Sequence, residues 1–254
     1  MGRKSIKHMF IPDTQLRPGV PTTHILAAAN YACVKRPDHI IIAGDWWDMP
    51  SLSTFEKPGS AFFEGKSVFH DIEFGNDQME DFLRAIRMER SYNPKITFLM
   101  GNHEYRINRA IDQDPVKLRK ILGTHLLHLP KKDMKVHPFL NIVKINGISY
   151  SHYFVNPQSA LRNALGGQMD NRLNKLKCSF TQGHVQTLQW GAQDLPDGSR
   201  IIGLVAGAFY QHDEEYAGPQ GHNYWRGLVM KHEVRAGEYD PMMVSMPYLL
   251  REYT

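Results

Sequence analysis

The sequence predicts an α/β protein, and three observations carry that prediction. Residues 5–11, 39–43 and 96–100 are short apolar runs of strand composition. Each ends at once in Asp, Gly-Asp or Gly-Asn-His. Helix-patterned segments lie between them, as a βαβ series requires, and crossover connections then bring the three carboxyl ends to one edge. In open α/β sheets, ligands bind at that edge.

The elements follow in order. Pro12 closes the first strand, with Asp13-Thr14-Gln15 just beyond it. Residues 21–35 form a helix, with Pro at its start, three consecutive alanines and a stop at Pro37. In the second strand, Gly44 allows a tight turn or a close backbone approach and sets Asp45 at the strand's end. Residues 49–75 are loop-like, long enough to hold short helices or form a cleft wall. A helix over 78–90 stops at Asn93-Pro94, and Gly101-Asn102-His103-Glu104 follows the third strand. Residues 115–122 form a short helix and 131–135 a charged, solvated loop. Residues 141–151 are two strands joined at Asn146-Gly147, ending at His152. The basic segment 160–177 is a helix broken at Gly166-Gly167. Strands follow at 179–182, which ends at Gly183-His184, and at 201–208 and 227–234. With no repeat, low-complexity segment or linker, one domain over 1–254 is expected.

Composition narrows the class. A chain of 254 residues, 42% hydrophobic and 22% charged, has the profile of a soluble globular protein. A net charge of +4 and a pI near 8.9 lean mildly towards polyanionic partners. Cys33 and Cys178 cannot build a disulfide framework and read as small core residues in a reducing compartment, so the expected location is cytoplasmic. No apolar run spans a bilayer, so no membrane partner is expected.

The strand ends together supply Asp13, Gln15, Asp45, Asp48, Asn102, His103, His152, His184 and Gln186. Each is weak alone; their order carries the weight. Asp-x-Gln, Gly-Asp-x-x-Asp, Gly-Asn-His-Glu, Ser-His and Gly-His-x-Gln occur in sequence, each at a strand terminus. In this order of motifs the chain resembles the calcineurin-like metallophosphoesterases, from about Ile6 to Gln186. The resemblance implies a four-layer αββα sandwich with two mixed β-sheets holding two divalent metal ions bridged by Asp45. It places Asp13, Gln15, Asp45 and Gln186 on the first metal and Asp45, Asn102, His152 and His184 on the second. His103 matches the histidine near the leaving group, and Asp48 the carboxylate that orients it. The implied activity is phosphoester hydrolysis by a metal-activated water, since paired dications neutralise phosphoryl oxygens and acidify bound water.

Departures from the pattern matter. Gln15 and Gln186 stand where family members usually carry His, and both fall on the first metal. An all-oxygen shell favours Mg²⁺ or Mn²⁺ over Zn²⁺ and binds more weakly, so Mn²⁺ is the expected cofactor, with Mg²⁺, Fe²⁺ and Zn²⁺ open. A degenerate site that holds one metal is the opposing expectation. Met49 stands where phosphoprotein phosphatases of the family carry Arg, which turns expectation towards phosphodiesters: DNA, RNA or a nucleotide. A phosphomonoesterase and a non-catalytic nucleic-acid or partner-binding module are the alternatives.

Substrate contacts are less determined. Trp46 or Trp47 could stack on a base, though at least one should be core. Arg106 and Arg109 could meet a phosphate oxygen or face solvent. Arg162, Arg172, Lys175 and Lys177 could track a nucleic-acid backbone or form a solvated helix face. The remaining histidines, His125, His128, His212, His222 and His232, and the run His212-Asp213-Glu214-Glu215 match no motif and are expected to be structural or surface residues.

Overall fold

The computed structural model describes residues 5–57, 59–159, 163–213 and 224–254; Arg162, Glu214, Glu215 and His222 lie outside them. Four parallel strands, β1 (His8–Ile11), β2 (His39–Ile42), β3 (Lys95–Leu99) and β4 (Met134–His137), stand side by side in chain order. Four more form much of a second sheet: β5 (Val143–Ile145), β6 (Ile148–Tyr150), β7 (Phe180–Gln182) and β8 (Leu188–Asp194). After them come β9 (Arg200–Ala206), β10 (Gly227–Arg235) and β11 (Glu238–Ser245). The first sheet runs β11-β10-β1-β2-β3-β4 and the second β5-β6-β7-β9-β8, and both are mixed.

Alternation along the strands builds the layers. Met9, Ile11, Ile40 and Ile42 join the helix-side core, which contains residues of α1 (Thr23–Lys35), α2 (Val68–Met88) and the last helix. Phe10 and Ile41 point the other way and meet Ile148, Tyr150, Ile202 and Leu204 of the second sheet. Burial on both faces explains why β2 reads as an unbroken apolar run. The second sheet's outer face packs Phe180, Ile201 and Val205 on Met169 and Leu173. The αββα sandwich expected from the motifs is the architecture observed. The other helices are α3 (Asn102–Gln113), α4 (Pro115–Leu118), α5 (Met169–Leu176) and α6 (Met246–Tyr253).

Several elements differ from expectation for local reasons. Helix α2 begins ten residues before the predicted 78. Its Gly75 reads as a breaker but serves close packing: a Cβ there would lie 2.0 Å from Trp47 Cδ1. The charged segment 131–135 supplies the start of β4, where exposed Lys135 marks an edge strand. Edge strands β8 and β11 and the closing helix α6 were not anticipated. Their weak apolar signal, and Pro241 within β11, follow from lying at sheet margins. Only residues 169–176 of the expected 160–177 helix are helical among the described residues. No helix among the described residues is long and apolar enough to cross a membrane.

Candidate metal centre

Six parallel strand ends, three from each sheet, meet at one rim. Asp13 follows β1, Asp45 follows β2, Asn102 follows β3, His152 follows β6, His184 follows β7 and Phe209 follows β9. Hydrogen bonds tie these ends together. His184 N donates to both carboxylate oxygens of Asp13 (3.0 and 2.8 Å), Phe209 N donates to the Asp13 carbonyl (2.7 Å), and Gln15 N donates to the Asp45 carbonyl (2.8 Å). Gln15, Asp45, Met49, His184 and Gln186 all have φ between 44° and 66°, a left-handed backbone that non-glycine residues rarely adopt. Each such residue costs about 1–3 kcal/mol, and strain of this kind persists where the surrounding structure enforces it.

Two carboxylates fix the loop after β2 to helix α3. His103 N donates to Asp45 Oδ1 (2.9 Å), so Asp45 acts as the N-cap side chain of α3. That explains Gly101 at the cap position, where a Cβ would fall 2.1 Å from Asp45 Oδ1. Glu104, fully buried, accepts backbone N–H bonds from Gly101 (2.7 Å), Asp45 (3.0 Å), Trp46 (2.7 Å) and Trp47 (3.2 Å). Burial pushes its carboxyl pKa up, with the Asp45 charge adding to the effect, while the backbone donors pull it down. The sequence offered Glu104 only as a letter of a motif; its place at the third helical position is the signal that could have marked it.

The donor set fits divalent cations. One ligand atom each from Asp45, His152 and His184 lies within 4.8 Å of the others. His152 Nδ1 lies 2.8 Å from the Ala43 carbonyl, so it donates there and turns Nε2 towards Asp45 Oδ2 (3.4 Å) and Asn102 Oδ1 (2.8 Å). A carbonyl behind the imidazole is the usual arrangement for a metal-binding histidine. Gln15 Oε1 is buried with no hydrogen-bond partner among the described residues, an orphaned acceptor that a cation would satisfy. Gln186 Oε1 accepts from Tyr210 OH (3.0 Å). Burial raises the Asp13 pKa and neighbouring Asp45 adds to it; burial opposes ionisation of Asp45 too, but His103 and His152 hold its pKa well below the usual range. Burial alone would lower His152, yet Asp45 and Asp13 push it up to about 9; burial, then His152, press His184 down to about 4. Cation binding through His152 Nε2 requires that nitrogen to be free of a proton.

Beside this cluster, His103 Nδ1 lies 3.0 Å from Asp48 Oδ1. Arg17 Nη1 reaches Asp48 Oδ2 at 2.6 Å, a partner that sequence reading missed because it lies on a different loop. Burial works against charge on His103, but Asp45 and then Asp48 outweigh it and raise its pKa. Arg106 Nη2 donates to His103 Nε2 (3.0 Å), while its Nη1 donates to the carbonyls of Asp48 (2.9 Å) and Met49 (3.1 Å).

Among the expected substrate contacts, those of Trp46 and Arg172 require correction. Trp46 is fully buried, packs edge-on against Phe82 and donates from Nε1 to the Gly75 carbonyl (3.0 Å), so no face is left for a base. Trp47 is equally buried. Arg172 is buried too, bonded to the carbonyls of Leu165 and Gly167, and does not belong to a basic surface track. Arg106 is buried beside His103, whereas Arg109 is exposed and donates to Thr54 Oγ1 (3.0 Å). The half-buried aromatics beside the site are Tyr153, its ring 4.5 Å from that of His184, and Phe139, 5.5 Å from Tyr153. His212 stacks on Tyr210, and Asp213 pairs with Arg226.

No family model matches the chain, and no curated protein matches it. Solved structures do align with it. One covers 95% of this chain and 100% of its own, at 11% identity and a TM-score of 0.46. Another, Yfce, a phosphoesterase from E. coli, covers 94% and 100% at 11% identity and a TM-score of 0.38. Likeness at that level leaves ligand and activity to be argued from the side chains.

Proposed function

We propose that the chain is a metal-dependent phosphoester hydrolase whose substrates are phosphodiesters of nucleic acids or nucleotides, with residues 1–254 acting as one domain. The observation that carries this reading is the meeting of Asp13, Asp45, Asn102, His152 and His184 at one rim with an orphaned Gln15 oxygen. Asp13, Gln15, Asp45 and Gln186 would hold one divalent ion, and Asp45, Asn102, His152 and His184 a second. Mn²⁺ is the best match to the mixed amide, carboxylate and imidazole donors. When bound, such ions neutralise phosphoryl oxygens and supply an acidified water.

The chain's own residues carry the rest. Asp45, clamped through α3 and Glu104, presents Oδ2 to the cluster without needing to reorganise. The Asp48 charge, 3.0 Å from His103 Nδ1, favours a proton on that nitrogen and leaves Nε2 as the group that faces the leaving oxygen. In the observed state Nε2 accepts from Arg106, so donation to a leaving group requires Arg106 Nη2 to give way to the substrate anion. Once Arg106 has moved aside, Nε2 can take up a proton from solvent. As water oxygen bonds to phosphorus and loses its proton to solvent, the bond to the leaving oxygen breaks and that Nε2 proton passes to the leaving oxygen.

The test is a metal-by-substrate matrix with bis-p-nitrophenyl phosphate and p-nitrophenyl phosphate under Mn²⁺, Mg²⁺ and Zn²⁺. The expected result is Mn²⁺-dependent diester cleavage above monoester cleavage, abolished by EDTA. Asp45→Asn should lower kcat/KM by about 10³-fold while leaving the circular dichroism spectrum native. Preference for the monoester would overturn the diesterase reading, and no turnover with any metal would overturn hydrolysis itself.

A further inference from the structure

A cavity of about 480 Å³ opens on the His103 side of the rim. Buried Arg106 forms part of its wall and donates from Nη2 to His103 Nε2, so one side chain separates the cavity from His103. Arg109, one helical turn along α3, joins Arg106 on that wall, with Ser51 and Thr54 facing them from the loop after β2. Glu56 is the one carboxylate among the lining residues, set against two guanidinium groups. The chemistry is that of an anion seat, and guanidinium groups with hydroxyls suit a phosphodiester oxygen. A second observation comes from the loop itself. Phe55, between lining residues Thr54 and Glu56 but not itself part of the wall, is 87% exposed. Exposed rings beside backbone-binding cations are how single-stranded nucleic acids are gripped, because a splayed base offers a face to stack on.

We propose that this cavity seats the leaving-side nucleotide of a single-stranded nucleic acid, its next phosphate between Arg106 and Arg109 and its base against Phe55. The assignment rests on the hydrolase reading for its place in the reaction, but the seat itself binds without metal. A phosphoprotein supplies neither the second phosphate nor the base, and a free mononucleotide has no leaving-side phosphodiester to reach the arginines.

The experiment has two arms. In the first, kcat/KM under Mn²⁺ is measured for bis-p-nitrophenyl phosphate, TpT and pTpTp, scoring cleavage of the internal bond. Arg109→Ala should lower the pTpTp-to-TpT ratio about tenfold, and Phe55→Ala the TpT-to-bis-p-nitrophenyl phosphate ratio by a similar factor. In the second, fluorescence anisotropy follows binding of labelled oligo-dT to the metal-free protein in EDTA. Arg109→Ala should weaken binding and reduce the log–log salt slope by about 0.7, the value for one lost phosphate contact on a single strand. Ratios that stay unchanged while bis-p-nitrophenyl phosphate is still cleaved would overturn the seat and leave the hydrolase reading standing. No cleavage of any ester would overturn the hydrolase reading. Oligo-dT binding that neither variant alters would overturn the seat whatever the activity.

Discussion

The two sheets enclose buried polar groups at both ends of β1, and the two ends are built on opposite principles. At the carboxyl end, carboxylates, imidazoles and amides converge with strained backbone and an acceptor left without a donor. At the amino end, His8, Tyr150, Thr181 and Lys231 form a closed set. Tyr150 OH lies 2.7 Å from His8 Nδ1, and Lys231 Nζ donates to Tyr150 OH (3.2 Å) and to Thr181 Oγ1. Lys231 also sits 4.4 Å from the Tyr239 ring centroid and 4.5 Å from that of Tyr150. Its partners among the described residues are hydroxyls and ring faces rather than carboxylates, and burial drives its pKa well below the usual lysine value. Buried polar groups alone therefore do not mark a site. An incomplete donor set held by strain does.

The largest expected break of this contrast is Glu104→Gln. The amide turns a donor towards backbone N–H groups that all need an acceptor, which should cost about 3 kcal/mol or more. In a chain of this size that is a fall in Tm of about 6–12 °C, measurable by calorimetry. A shift under 2 °C would show that the clamp does not hold the rim. Arg17→Ala is next. Freed of Arg17, Asp48 can turn away from His103, so kcat should fall about tenfold, with KM and Tm nearly unchanged. A change in KM alone would instead make Arg17 a binding residue.

The smallest effect belongs to the closed end. Lys231→Met should change stability by less than about 1.5 kcal/mol at neutral pH, since a buried amine without a carboxylate partner among the described residues gives way to an apolar chain of similar length. Acid should reach this end through His8. Burial, then the Lys231 charge, press its pKa down to about 3, against 6.5 in the unfolded chain. The unfolded chain therefore takes up the proton first, so this contribution is complete above pH 6.5 and is lost as pH falls towards 3. Tm should decline over that window, and His8→Gln should flatten the decline. An equal decline in both proteins would remove His8 as its source.

Legibility in the sequence followed the same contrast. The rim was readable because each donor sits at a strand end next to Gly or Pro, a local pattern that needs no knowledge of packing. Asp45 and Asn102 were placed this way, and so were His152 and His184. What a donor touches was not readable. Trp46, next to Asp45, looked like a platform and is core, because an edge-on ring and a helix glycine were supplied from residues 75–82. Arg17 and Glu104 act across loops that are distant in sequence, and nothing in their own neighbourhoods states the partner. Strands β4, β8 and β11 were missed because edge strands carry the charges and prolines that also mark loops.

The contact between Asp13 and His184 joins positions 171 residues apart. Neither sheet carries the whole centre, because Asp13, Gln15, Asp45 and Asn102 come from one and His152, His184 and Gln186 from the other. Topology of that kind closes late in folding. The complete set of rim donors therefore exists only when both sheets are in place, so its assembly reports on the whole tertiary structure rather than on either sheet.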